Sequence, residues 1–397
     1  MQYLLRVFNV NIQENLVLNE GDVYMKVFQI KPKIYEYSTF TEFATDFQIS
    51  KEDLILTHKF LYESFMKKLN LNCQFLFQED YGVGEPSDEM VDKILKDLTG
   101  NEFKRLFGIG GGTIIDISKL LVIKDAKSTL DMFEDKIPLV RDKGLVLVPS
   151  TCGTGSEMTC VSVIDIKSKN VKMGKRIEQN FADAAVLIPE LVNGLPYEFF
   201  LYSSVDALIH AMEIYVCSKS TTYDEIFCLE AIHKILSGYA KIIQDGPEAR
   251  YSNMNDFLKA SNYAGIALGN VVCGAVHAMA LHFGSVHHVP HGESNYRFLT
   301  SVFNTYAKNA PEGKISRIAE VINDALKING DTLKAFNALE ELLVKLIPRK
   351  KLRDYGMKEY NIENYADTVI ATQQRLLVNS YIPLTREQLM SIYQDIY

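Results

Sequence analysis

No stretch of the 397 residues approaches the roughly eighteen uninterrupted apolar positions of a membrane span, so no membrane-crossing helix is expected. Positive charge is scarce: 42 Lys and Arg stand against 50 Asp and Glu, a formal charge of −8, which argues against a nucleic-acid partner. The six cysteines (73, 152, 160, 217, 228 and 273) form no CxxC pair and no compact framework. That spacing fits reduced thiols in the cytoplasm and excludes a disulfide scaffold. The N-terminus lacks the basic region, apolar run and small-residue cleavage site of a secretory signal. Low-complexity sequence is missing too. With 47% apolar and 23% charged residues, the chain has the balance of a globular protein, and its length suits two domains.

Residues 1–24 mix Asn, Glu, Val and Leu without a period, and Met25 opens a more strand-like stretch. Glu20-Gly21-Asp22 is compatible with a purine-rich GAAGGAGAT resembling a ribosome-binding site just before Met25. Residues 1–24 are therefore expected to be a translated leader, the alternative being an N-terminal arm; N-terminal sequencing of native protein decides between them. From about 30 to 190, short apolar runs alternate with helical stretches near 59–69, 87–98 and 113–123, the pattern of a mostly parallel sheet covered on both faces. After Pro196 the strand-like runs stop. Amphipathic stretches follow at 198–218, 223–243, 253–270, 314–326, 331–346, 362–376 and 385–396. The expected organisation is an α/β domain over 25–195 followed by an all-helical domain over 196–397.

Two loops in the first half carry chemistry. In one, an apolar run ends in Gly110-Gly111-Gly112 and a helix begins at Thr113. Glycines let the backbone approach a pyrophosphate, and the free N–H groups of a helix start attract its charge. Asp116, one turn inside, is placed to accept from a ribose hydroxyl; a tight strand-to-helix turn is the plainer alternative. The second loop is PSTCGTGSE at 149–157, where Ser150, Thr151, Thr154 and, just beyond, Thr159 can bond a sugar, phosphate or carboxamide. Cys152 has no basic neighbour in sequence and reads as a small packed side chain.

The second half holds a concentration of metal-binding groups. Asp206 and His210 are four residues apart, one above the other on a helix. Five of the eight histidines (277, 282, 287, 288 and 291) fall within fifteen residues. Gly284 and Pro290 are expected to break any helix between them, so His277 and His291 lie on separate elements that can converge. An Asp–His₃ set suits Fe²⁺ or Zn²⁺, with an open position for a substrate oxygen, and the lack of Cys ligands argues against a closed structural zinc site. His282, His287 and His288 are left over, for proton handling or for structure.

These motifs resemble those of the iron-containing (group III) alcohol dehydrogenases: GGGTIID at 110–116, PSTCGTGSE at 149–157, DALIH at 206–210 and the His277/His291 pair. The resemblance runs from Met25 to Tyr397. YGVGEPSDEM at 81–90, HHVPHGESNY at 287–296 and QQRLLVNSY at 373–381 are similar to the branch acting on 4-hydroxybutyrate. It implies a dehydroquinate-synthase-like α/β nucleotide-binding domain, a helical domain, a cleft between them, and a homodimer. Gly110, Gly111, Gly112 and Thr113 would hold the pyrophosphate of NAD, with Asp116, Ser150, Thr151, Thr159 and Lys172 lining the rest. Asp206, His210, His277 and His291 would ligate Fe²⁺, or Zn²⁺ in purified protein.

Three positions depart from the family pattern. His58 stands where many members carry an Asp toward the adenosine ribose, which leaves NADP open beside NAD. Leu281 replaces a histidine four residues after His277, with His282 one further on as a proton-path candidate. Glu85 replaces an Asn that precedes a Pro near the nucleotide. The implied activity is reversible NAD- and metal-dependent oxidation of 4-hydroxybutyrate, a substrate with a carboxylate, to succinate semialdehyde. Arg375 is the first candidate for that carboxylate and Arg297 a weaker one. Dehydrogenation of an uncharged alcohol or diol such as butanol or 1,3-propanediol, a cyclising enzyme that recycles its cofactor, and a non-catalytic nucleotide or metal sensor are the alternatives.

Overall fold

The structure is a computed structural model that describes residues 27–169 and 171–397, so the leader expected over 1–24 lies outside the described residues. The first half is built on strands β1 (Lys33–Glu36), β2 (Asp53–Thr57), β3 (Gln74–Phe77), β4 (Arg105–Gly110), β5 (Gly144–Pro149), β6 (Val161–Ile166), β7 (Val171–Arg176) and β8 (Ala184–Leu187). Six of them form one sheet in the order β1-β8-β5-β4-β2-β3, every pair parallel. β6 and β7 form a separate antiparallel pair that the sequence pattern did not signal.

Continuous apolar runs explain the parallel sheet. Every residue of Asp53–Thr57 is buried, with Leu54 and Leu56 facing one core and Ile55 the other. Helix α1 (Phe40–Asp46) supplies Phe40 and Phe43 to the second core; α2 (Asp88–Asp97) and α3 (Gly112–Leu121) pack on the first. Each Leu or Ile buried in this way contributes roughly 1.5–3 kcal/mol. The helical stretch expected near 59–69 is three short turns of different pitch: α-helical Lys59–Leu61, a π-turn over Tyr62–Met66 and a 3₁₀ turn over Lys67–Leu69.

From Tyr197 onward the described chain is helical: α4 (Tyr197–Val216), α5 (Thr222–Asp245), α6 (Ala249–Leu268), α7 (Ala275–His287), α8 (His291–Asn309), α9 (Lys314–Leu326), α10 (Thr332–Leu346), α11 (Ile362–Thr372), α12 (Gln374–Leu377) and α13 (Arg386–Ile396). Helix α4 is long and apolar enough to cross a membrane, but 83% of its most apolar window is buried inside the protein. It is the central core helix, apolar on nearly every side because helices surround it.

One expected helix break is misplaced. α7 runs through Gly284 and stops at His288, whose backbone is left-handed at φ +53°. Pro290, with φ fixed and no N–H to leave unpaired, then starts α8. Gly284 serves packing instead: a Cβ there would lie 3.1 Å from Ser294 Oγ and 3.2 Å from Val289 O.

Candidate metal centre and cofactor cleft

Helices α4, α7 and α8 bring Asp206, His210, His277 and His291 together, one ligand atom of each lying within 4.8 Å of all the others. Asp206 Oδ1 is 3.9 Å from His277 Nε2 and 3.7 Å from His291 Nε2. The rings of His210 and His277 stack at 4.8 Å. Burial disfavours the Asp206 carboxylate, yet the three imidazoles and the Asn295 amide together hold its pKa below the ordinary value. Burial also lowers the pKa of His277 and His291, helped by the neighbouring imidazoles, so both rings are neutral and carry lone pairs.

The donor set fits a cation. Nδ2 of Asn295, on α8 one turn after His291, lies 2.7 Å from Asp206 Oδ1 and 3.1 Å from both His277 Nε2 and His291 Nε2. An amide nitrogen has two hydrogens, so three acceptors converge on two protons and lone pairs are left in excess. Oδ1 of the same amide is buried without a partner. A borderline divalent ion such as Fe²⁺ or Zn²⁺ meets such a carboxylate-and-imidazole set.

The ligands are themselves held. His277 Nδ1 lies 2.6 Å from the buried carboxylate of Glu213, whose other oxygen accepts the Val276 N–H at 2.6 Å. That fixes the tautomer and turns Nε2 to the centre. Burial raises the Glu213 pKa to about 7, against several N–H donors at the start of α7. His210 donates from Nδ1 to Gly153 O at 3.3 Å, which joins the centre to the loop after β5. Sequence reasoning missed Glu213 and Asn295, although each had a signal: Glu213 continues the 206–210 helix face by three residues, and Asn295 lies four beyond His291.

The glycine turn sits at the carboxyl end of β4, where ligands bind in open parallel sheets. Gly111, Gly112, Thr113 and Thr151 are all partly accessible, and a Cβ on Gly111 would come within 3.3 Å of Thr151 Cγ2. Thr113 donates to Gly84 O at 3.2 Å, and the Lys172 ammonium pairs with Glu85. Both Lys172 and Glu85 lie near enough to act electrostatically on His291.

Asp116 departs from the role expected of it. Its carboxylate is turned into the protein, accepting from Ser156 Oγ at 2.6 Å and Val163 N–H at 2.9 Å, which leaves a ribose hydroxyl little to bond. Thr159 is buried as well, and its hydroxyl accepts from Lys119 Nζ at 3.1 Å. Ser150 is buried, its N–H donating to Gly110 O. Lys119, fully buried, also reaches Ser156 Oγ and Val161 O, so this ammonium ties the loop 149–159 to α3. Its spacing of three from Asp116 was the available signal.

His282 lies away from the centre. Five residues on from His277 it is about 140° round α7, and its ring meets Tyr365 edge-on at 4.7 Å. Arg297 is fully buried, held by Tyr202 and Glu293 and stacked over Tyr296, so it presents nothing to the cleft. Arg375 differs from both. It is exposed on α12, its side chain makes no hydrogen bond or ion pair among the described residues, and its charge reaches His277 and Cys273. Cys152 is buried, which pushes its thiol up to about 12.

The family model for iron-containing alcohol dehydrogenases matches residues 33–189, and that for the C-terminal part of the Fe-containing alcohol dehydrogenase family matches residues 200–397. This chain belongs to the iron-containing alcohol dehydrogenase family. Among relatives in that family, the 4-hydroxybutyrate dehydrogenase of Clostridium kluyveri is 47% identical over 373 residues, 94% of this chain and all of the relative. Long-chain-alcohol dehydrogenase 1 of Geobacillus thermodenitrificans is 29% identical over 79% of this chain and 80% of its own. The crystal structure of sulfoacetaldehyde reductase from Bifidobacterium kashiwanohense in complex with NAD⁺ shares the iron-containing alcohol dehydrogenase fold, with a TM-score of 0.82 over 94% of this chain and 99% of that one at 20% identity.

Proposed function

We propose that the protein oxidises 4-hydroxybutyrate reversibly to succinate semialdehyde, with NAD⁺ becoming NADH and one proton released, at a metal held by Asp206, His210, His277 and His291. The observation that carries the reading is the four-donor centre of Asp206, His210, His277 and His291, joined through Gly153 to the loop that meets the glycine turn at Thr151. The 47% identity to a 4-hydroxybutyrate dehydrogenase supports the substrate. Bound there, Fe²⁺ supplies Lewis acidity toward the alcohol oxygen, and the nicotinamide supplies a hydride acceptor.

The chain's own residues do the positioning. Arg375 binds the carboxylate, which fixes the far end of a four-carbon substrate. Glu213 holds the proton on His277 Nδ1, and Gly153 O holds that on His210 Nδ1, so both rings keep one orientation. The glycine turn and α3 start take the pyrophosphate, and Lys172 pairs with Glu85 within electrostatic reach of His291. A homodimer in the cytoplasm belongs to the same reading, and light scattering on the eluting protein tests the assembly.

The test is anaerobic initial-rate kinetics after Fe²⁺ loading, crossing NAD⁺ and NADP⁺ with 4-hydroxybutyrate, 1-butanol and 1,3-propanediol. A clear preference for 4-hydroxybutyrate with NAD⁺ is expected. Equal efficiency on butanol would remove the substrate and leave the centre, and no nucleotide reduction with any alcohol would remove the dehydrogenase.

A further inference from the structure

The adenosine end of the cleft is marked by His58, the first residue after β2. The direction in which a dinucleotide lies follows from the sheet order. His210 of the metal centre touches Gly153, in the loop after β5, so the nicotinamide end runs from the glycine turn across β5. The adenosine end then runs the other way, over the carboxyl ends of β2 and β3. Thr57 pairs with Ile109 on one side and with Phe77 on the other. His58 therefore lies one strand from Gly110 and Glu79 two strands away, at roughly 4.8 Å per strand, the span at which a ribose follows a pyrophosphate.

Two groups occupy this place. Glu79 accepts from the Lys59 N–H with both oxygens, at 3.1 and 3.3 Å, and lies 3.3 Å from His58 Nδ1. The two side chains remain 31% and 21% exposed, so both are open to a ligand. Burial lowers the His58 pKa, with Glu79 working against it. The neutral ring donates from Nδ1 to Glu79 and leaves Nε2 as an acceptor. Phe60 stacks on the His58 ring at 5.4 Å and holds its plane. The cation beside them, Lys59, is already paired with Asp80.

We propose that Glu79, reaching across from the end of β3, supplies a ribose-binding carboxylate beside His58 and makes the site select NAD over NADP. A ribose with free hydroxyls finds two acceptors here, the Glu79 carboxylate and His58 Nε2. A 2′-phosphate finds the same acceptors and a full negative charge, and the nearby cation, Lys59, is engaged by Asp80. Glu79 is a specificity residue that touches the cofactor and takes no part in hydride transfer. The inference rests on the nicotinamide-dependent reading above.

The test is direct binding to the metal-free protein, read by the fluorescence of NADH and of NADPH, for wild type and Glu79→Gln. Wild type is expected to bind NADH more tightly by about tenfold or more, and Glu79→Gln to recover about tenfold in NADPH affinity as a like-charge contact is removed. NADH affinity in the variant, about fivefold of wild type at most, checks that the cleft is intact. In a second measurement, which needs no variant, ADP-ribose displaces NADH from wild type while 2′-phospho-ADP-ribose does not. Unchanged NADPH affinity in Glu79→Gln, or equal displacement by the two fragments, overturns the role of Glu79 alone. Binding of neither dinucleotide to wild type overturns the dehydrogenase reading and the proposal with it.

Discussion

Replacing Glu213 by Gln tests the metal centre without touching a ligand. In the native protein a carboxylate accepts from His277 Nδ1 and from the Val276 N–H, each at 2.6 Å, in a fully buried setting. Gln keeps the size but offers one acceptor oxygen, so its NH₂ must face a donor. One charge-assisted bond of about 1.5–3 kcal/mol is lost, and at about 1.4 kcal/mol per tenfold that is roughly 10- to 150-fold. Loss of a carboxylate behind a metal-bound imidazole weakens metal affinity by about 10- to 100-fold, so the two routes agree. The assay is competition for Zn²⁺ against a chromophoric chelator at pH 7.5, with the visible bands of the Co²⁺ form reporting geometry. The expected outcome is a dissociation constant raised at least about tenfold with four-coordinate Co²⁺ bands retained. A constant within about threefold of wild type would refute the claim that Glu213 sets the His277 tautomer and basicity.

Three further outcomes are expected. Arg375→Ala should lower kcat/KM for 4-hydroxybutyrate by about 10- to 150-fold, the worth of a charged hydrogen bond, while 1-butanol is unaffected; equal losses on both substrates would remove Arg375 from carboxylate binding. Metal at about a hundred times its dissociation constant adds about 2.7 kcal/mol, which raises Tm by about 3 °C for a chain this long. Asp206→Asn should abolish most of that rise, and a full rise in the variant would move the ion elsewhere. For Glu157, burial raises the pKa, with one oxygen accepting from Asn262 Nδ2 at 2.9 Å and the other unpartnered. A raised native pKa favours folding fully below the ordinary value near 4.5, and that contribution is lost as pH rises through the native value. Glu157→Gln, which does not titrate, should therefore gain stability relative to wild type as pH rises above about 4.5 in urea unfolding. A pH-independent difference would contradict the assignment.

What the sequence revealed depended on whether the chemistry lay along one element or between several. Asp206 and His210 were legible because helical spacing alone stacks them, and the glycine turn because strand, glycines and helix are contiguous. His277 and His291 required only that two elements converge. Asp116 was read one way and faces another, because the partners that claim its oxygens, Ser156 and Val163, come from a loop and a strand some forty residues on. Glu79 needed the strand order, since nothing along the chain says that β3 lies beside β2. Gly284 was misread because a helix tolerates glycine where another helix crowds it, and there Ser294 does the crowding.

The contact between Gly155 and Gly265 bears on how the two halves are joined. Gly155 adopts φ +57°, and a Cβ on Gly265 would lie 2.4 Å from Gly155 O, so the two backbones touch with no room for a side chain. Together with the Glu157–Asn262 bond, this fastens the loop after β5 to the helical half, while Lys119 and Asp116 fasten the same loop to α3. Gly153, whose carbonyl His210 touches, therefore sits in a loop clamped from both sides.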